Sequence, residues 1–235
     1  MPQLTQTAPA PKPAAAPKPK PPEPPAEFQE RDIATMDAPA LTGILTDSSA
    51  PEFRKAKACQ RLGELGPKEA VPALSALLGN DRLSVYARYG LEPIADPSAD
   101  DALRAGLSKL KGNLLIGVIN SIGKRRDAKA GPVLAKMIYG ADADVARASA
   151  AALGSIGGVS AMQELQAALG KTKGMTRMAV ADASLVCAER LLMEGERAQA
   201  LKLYAFLSAP DMPKPARLAA MHGIIREETS TSRPR

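Results

Sequence analysis

The sequence predicts an all-α protein, a right-handed α-solenoid of about five to six helical hairpins behind a proline-rich segment. Three observations carry that prediction. First, a glycine-bearing phrase recurs as LGELG at Leu62–Gly66, INSIG at Ile119–Gly123 and LGSIG at Leu153–Gly157. Each closes an apolar helical run and is followed within ten residues by another. Second, the last apolar residues before successive turns are Leu65, Ile94, Ile122, Ile156 and Val186, spaced 29, 28, 34 and 30 residues apart. That is the period of helical repeats, whose units bury their apolar faces only by stacking. Third, hydrophobic residues make up 45% of the 235 while aromatics make up 3% and Trp is absent. Small aliphatic side chains suit closely packed helix pairs, and the period-two runs a sheet needs are missing.

Each element can then be read in order. Residues 1–26 hold ten prolines, mostly alternating with Ala and Lys; such composition favours polyproline II and predicts an extended, disordered linker. Residues 27–50 read as capping helices, with Ile33, Met36, Leu41, Ile44 and Leu45 as the apolar positions of a lead-in over Ala26–Thr46. The repeats span 51–227. Glu52–Leu65 pairs with Lys68–Leu78, Arg82–Ile94 with Ser98–Leu110, and Leu114–Ile122 with Asp127–Ile138. Asp142–Ile156 then pairs with Val159–Leu169, and Met175–Met193 with Glu196–Leu207; Pro215–Glu227 is a last single helix. Gly66, Gly123 and Gly157 read as the tight turns between helices, where glycine tolerates left-handed backbone, and Gly63 and Gly154 as structural glycines of the same repeated phrase. Residues 228–235 read as a polar, disordered tail.

The net charge of +6 is uneven. Between Arg104 and Lys136 eight cations stand against Asp127 alone. Lys124, Arg125 and Arg126 fall in a turn within one hairpin. Lys109 and Lys111 fall between hairpins, as do Lys171 and Lys173 two hairpins on. The two kinds of turn emerge at opposite edges, so these seven residues predict two basic stripes. Nucleic acid is disfavoured as a partner, because it wants one continuous track with aromatics for stacking.

Chemistry is harder to find. His222 is the only histidine, and metal ligation needs three or four donors at set spacing. The glycines of Gly154–Gly158 follow a helix and lack the GK[ST] ending of a phosphate loop. Cys59 and Cys187 each lie on an apolar helix side, in units too far apart to bridge, and are expected free and buried. No run of 18 apolar residues is present, so no transmembrane segment is expected. The start lacks the basic and apolar regions of a signal peptide, giving a cytoplasmic expectation unless a leader precedes it. No catalytic residue, cofactor or metal is expected.

The repeats resemble HEAT repeats, particularly the short bacterial kind grouped with phycobilin-lyase-like repeats. DADVARASAAALGSIG over Asp142–Gly157 carries the resemblance best, with its acidic residue, Val, Arg, Ala, Leu-Gly and Ile-Gly. The resemblance implies that Asp144 and Arg147 bond from unit to unit, with Arg177 and Arg217 at equivalent places further on. Ala56, Val85 and Asn113 stand at that place in earlier units, so any such ladder covers the C-terminal half. It further implies a bacterial protein-binding scaffold. The expected work is non-catalytic binding of a protein partner through the inner face formed by the second helices. Lys68, Glu69, Ser75, Lys129, Lys136, Gln163 and Gln166 are the candidate contacts. The alternatives are a nucleic-acid or anionic-surface binder using the basic turns, an accessory lyase-like subunit, and a piece of a larger exported HEAT protein.

Overall fold

A computed structural model describes residues 32–231, and among the described residues every regular element is helical. The chain is all-α. The expected linker over 1–26, the first residues of the lead-in and the last four residues of the tail lie outside the described residues.

After a 3-10 turn at Ile33–Thr35 come α1 (Ala38–Thr46) and α2 (Glu52–Leu65). A 3-10 turn at Lys68–Ala70 leads into the short α3 (Val71–Ala76), followed by α4 (Ser84–Leu91), α5 (Pro97–Lys109) and α6 (Gly112–Arg125). The same 3-10 entry at Ala128–Ala130 precedes α7 (Gly131–Met137), then α8 (Ala143–Ile156) and α9 (Gly158–Lys171). The chain continues with α10 (Gly174–Met193), α11 (Arg197–Leu207) and α12 (Lys214–Thr231). Local chemistry fixes several starts. Asp37, Asp96 and Asp142 each accept a backbone N–H of the first turn of α1, α5 and α8, satisfying donors that the helix leaves open.

Packing is repeat-like. The first helix of each hairpin packs on the first helix of the next, α2 on α4, α4 on α6, α6 on α8 and α8 on α10, while α3 meets α5 and α7 meets α9. A single core runs between the two rows. Leu62, Leu74, Leu91, Ile94, Leu103, Ile119, Ile122, Leu134, Leu153 and Leu165 are all fully buried in it, each such side chain contributing about 2 kcal/mol. The helix α1 lies on α2 and α3 and covers the start of the stack.

The repeated glycines divide into two jobs. Gly66 and Gly157 have φ of +69° and +75° and do end helices. Gly63 and Gly154 lie inside α2 and α8, within the bounds expected for those helices, whereas Gly123 also lies inside its helix and is not a turn, which corrects the expectation. A Cβ on Gly154 would stand 2.5 Å from the Ala183 carbonyl oxygen, and one on Gly123 would stand 2.9 Å from the Ala152 Cα. These positions let α8 approach α10 and α6 approach α8. INSIG therefore does not close its helix. The helix α6 runs on to Arg125, and Arg126 takes the left-handed turn with φ of 59°. At the other end α12 continues to Thr231, so the first part of the expected tail is helical.

Candidate functional site

The second helices α7 and α9 lie against each other and share an exposed face. On α7 and its approach, Lys129, Val133, Lys136 and Tyr139 are exposed, at spacings of four and three that hold them on one side. On α9 the exposed residues include Val159, Gln163 and Lys171, with Gln166 half-buried. The two sets meet where the Lys171 ammonium stands 5.9 Å from the centre of the Tyr139 ring. That is the reach of a cation–π contact. Partial burial, with the nearby Glu164 carboxylate adding to it, raises the Tyr139 phenol above its ordinary value and keeps it a neutral hydroxyl. The face thus offers apolar area from Val133 and Val159, an amphipathic ring, and amide and ammonium donors.

Lys129, Lys136, Gln163 and Gln166 are brought together here. Lys68, Glu69 and Ser75 stand two hairpins away, on the approach to α3 and within it. Lys68 and Glu69 are exposed. The Ser75 hydroxyl donates 3.0 Å to the Pro72 carbonyl, which turns it back onto its own helix. Sequence reading missed Val133, Tyr139 and Val159. Their signal is an apolar residue on the solvent side of a second helix.

The basic residues are distributed differently from the expected stripes. Arg125 is 8% exposed and points inward: its Nε donates 2.6 Å to Asp100, and its Nη1 donates to the carbonyls of Leu91, Glu92 and Ile94. Lys124 donates 2.6 Å to Glu92, which also accepts from the Ser121 hydroxyl. Arg126 pairs with Glu194, 68 residues further along. Arg104 pairs with both Asp101 and Asp127. These four cations bind one repeat to another or brace a turn; the Arg125 side chain is buried, while Lys124 and Arg126 stay partly exposed. Lys109, Lys111 and Lys173 are exposed, while Lys171 sits over Tyr139.

Among the residues placed by the repeat pattern, Arg147 pairs with Asp144 within its own helix, without reaching the next unit. Arg177 does reach onward, donating 2.9 Å to Asp211 just before α12, and Arg217 donates to the Pro210 carbonyl. A tie of the same kind occurs where the repeat pattern had no arginine. The Arg88 guanidinium crosses from α4 to the Gly117 carbonyl on α6, in space that a Cβ on Gly117 would fill.

Elsewhere, an open groove of about 430 Å³ is lined by Gly63, Glu64, Tyr89, Glu92, Pro93 and Lys124. Glu64 and Glu92 both already hold cations, Arg61 and Lys124, so the groove has little charge left to direct. Cys59 and Cys187 are free and fully buried, and burial pushes both thiols up to about 12. His222 is exposed on α12, and among the described residues no group of three or more His, Cys, Asp or Glu is placed to hold a metal ion. No helix among them is long and apolar enough to cross a membrane. No protein-family model matches the chain, and no curated protein matches it.

Proposed function

We propose that this protein is a non-catalytic scaffold, a HEAT-like right-handed α-solenoid that holds a protein partner on the face of its second helices. The observation that carries the reading is the mixed surface of α7 and α9, where exposed Val133, Tyr139 and Val159 stand among Lys129, Lys136 and Gln163. Aromatic and aliphatic anchors ringed by polar groups are the composition of protein-binding patches. An interface on the order of 1,200–2,000 Å² would extend beyond these two helices along the stack, and Lys68 and Glu69 are its contacts further along. The basic-surface alternative is weakened because the Arg125 side chain is buried and Lys124 and Arg126 are already paired with Glu92 and Glu194.

The test is a tagged pull-down at low and high salt, with wild type beside Val133→Asp/Tyr139→Ala and beside Lys109→Glu/Lys111→Glu/Lys173→Glu. A discrete protein retained at high salt and lost only in the first variant is the expected result. Recovery of nucleic acid that vanishes with salt and with the lysine variant overturns the reading, because binding carried by phosphate contacts falls steeply with salt.

A further inference from the structure

We propose that the edge of the stack where one hairpin joins the next is a membrane contact, its lysines taking the anionic headgroups of a lipid bilayer and its apolar tips entering the interface. Two turns of the same build supply cations. Lys109-Leu110-Lys111-Gly112 joins α5 to α6, and Lys171-Thr172-Lys173-Gly174 joins α9 to α10. Leu110 and Thr172 have φ of −98° and −99°, and Lys111 and Lys173 have φ of −139° and −136°. Gly112 and Gly174 follow at +53° and +56°, in the left-handed region that glycine tolerates. Each turn therefore holds its second lysine in the same place before the helix that follows. Lys109, Lys111 and Lys173 are exposed, as is Lys214 at the start of α12, and none of the four has an ion-pair partner among the described residues.

The occupant follows from what stands beside these cations. Acids of the same edge are already engaged: Asp142 caps α8, Asp144 pairs with Arg147, and Asp211 holds Arg177. The charge left over is positive, which an anionic surface complements. Apolar side chains stand among the lysines. Met175, two residues past Lys173, is 68% exposed, and Phe206 is exposed in the last turn of α11, just before the chain passes to Lys214. Lysine beside an exposed thioether and an exposed ring is the composition of surfaces that lie on membranes, where the ammonium meets headgroups and the apolar tip sinks below them. A nucleic-acid backbone gives such tips no apolar counterpart and wants a continuous cationic track. Here the hairpin between the two lysine turns brings Asp142 to the edge, so the cations come in separate groups. Lipid headgroups move laterally and meet each group where it stands. Each lysine held against an anionic leaflet raises partitioning about fivefold, so the four raise it on the order of 500-fold. The attachment is reversible and falls with salt, as screening requires.

Co-sedimentation of the full chain with vesicles tests this, using phosphatidylcholine alone or with about 30% phosphatidylserine, at about 0.05 M and about 0.3 M salt. Binding to the anionic vesicles only, weaker at the higher salt, is expected. Lys109→Glu/Lys111→Glu/Lys173→Glu weakens it by at least about 100-fold. Lys68→Glu/Lys129→Glu/Lys136→Glu changes the net charge equally away from this edge, and weakens it by less than about tenfold. Lys12→Gln/Lys18→Gln/Lys20→Gln behaves like that second variant. In another measurement, Phe206→Trp introduces the chain's only tryptophan, whose emission shifts to the blue on anionic vesicles. Tyr89→Trp, in the groove with Lys124 at the opposite edge, gives no such shift. Absence of binding to anionic vesicles, equal losses in the first two lysine variants, or loss only in the Lys12, Lys18 and Lys20 variant overturns the proposal. So does an unshifted Phe206→Trp emission, or tighter binding to a short DNA duplex than to anionic vesicles at the same salt.

Discussion

The Arg125 guanidinium, 8% exposed at the end of α6, donates 2.6 Å through Nε to the Asp100 carboxylate on α5 while its Nη1 donates to three carbonyls at the end of α4. One side chain thus closes the carbonyl end of the preceding repeat's first helix and pins its second helix. Arg125→Ala leaves Asp100 and those carbonyls without their donor, and a buried pair broken on one side costs about 3 kcal/mol. Lys124→Ala, whose ammonium is 66% exposed, costs under about 1 kcal/mol. Urea unfolding followed by circular dichroism measures both. Equal small effects would return Arg125 to the surface as a free cation.

The approach of α8 to α10 depends on Gly154, where an added Cβ would stand 2.5 Å from a backbone oxygen that cannot move alone. Gly154→Ala is expected to cost about 2 kcal/mol, as overpacked contacts do. Gly170→Ala, in the exposed part of α9 with nothing within 4 Å of the new methyl, is expected to gain up to about 1 kcal/mol from helix propensity. Thermal unfolding of the pair separates the two roles, and a shift of the same sign in both would refute the close-approach account.

Arg126 combines a strained backbone with a distant ion pair. Its φ of 59° is costly for a residue with a Cβ, by roughly 1 kcal/mol, and its pair with Glu194 is partly exposed on both sides, worth under about 1 kcal/mol. Arg126→Gly removes both, so its net effect is expected within about 0.5 kcal/mol of zero. Arg126→Val loses the pair and adds the greater cost of a β-branched side chain in left-handed backbone, and is expected to cost about 2 kcal/mol. The difference between the two variants in denaturant midpoints is the measurement, and equal midpoints would mean that the turn carries no strain.

Periodicity and turn chemistry made the elements legible. The spacing predicts Glu52–Leu65 as a helix, and α2 has those bounds; Asp142 and Asp96 cap where short polar side chains precede apolar runs. What stayed hidden was long-range. In INSIG the glycine reads as a stop because LGELG and LGSIG stop there, yet Gly123 answers to Ala152 on the next helix, 29 residues on. The KRR run reads as a charged turn because its partners Glu92, Asp100 and Glu194 stand 25 to 68 residues away. The candidate face was half legible. Lys129, Lys136, Gln163 and Gln166 follow from polar positions on second helices, whereas the Tyr139–Lys171 contact joins two hairpins and has no local signature.

Alkaline pH tests the core directly. Burial pushes Cys59 and Cys187 up to about 12 from an ordinary value near 9. In the unfolded chain both thiols have lost their protons well below that, so between about pH 9 and pH 12 the native state holds protons that the unfolded state has released. Stability is then full below pH 9 and falls as pH rises, by up to about 1.4 kcal/mol per pH unit for each thiol. Tyr204 acts in the same direction above pH 10, its phenol raised by burial and by the Glu189 carboxylate that accepts its proton at 2.6 Å. Urea midpoints across this window are expected to drop steadily for wild type and less steeply for Cys59→Ala/Cys187→Ala, with Tyr204→Phe flattening the upper part. Comparing slopes removes the fixed cost of each substitution. At pH 8 neither thiol should react with iodoacetamide until urea is added, because the thiolate is the nucleophile and the native core suppresses it. Rapid labelling of the native protein, or a slope unchanged by removing both thiols, would mean that the interior around Cys59 and Cys187 opens without unfolding.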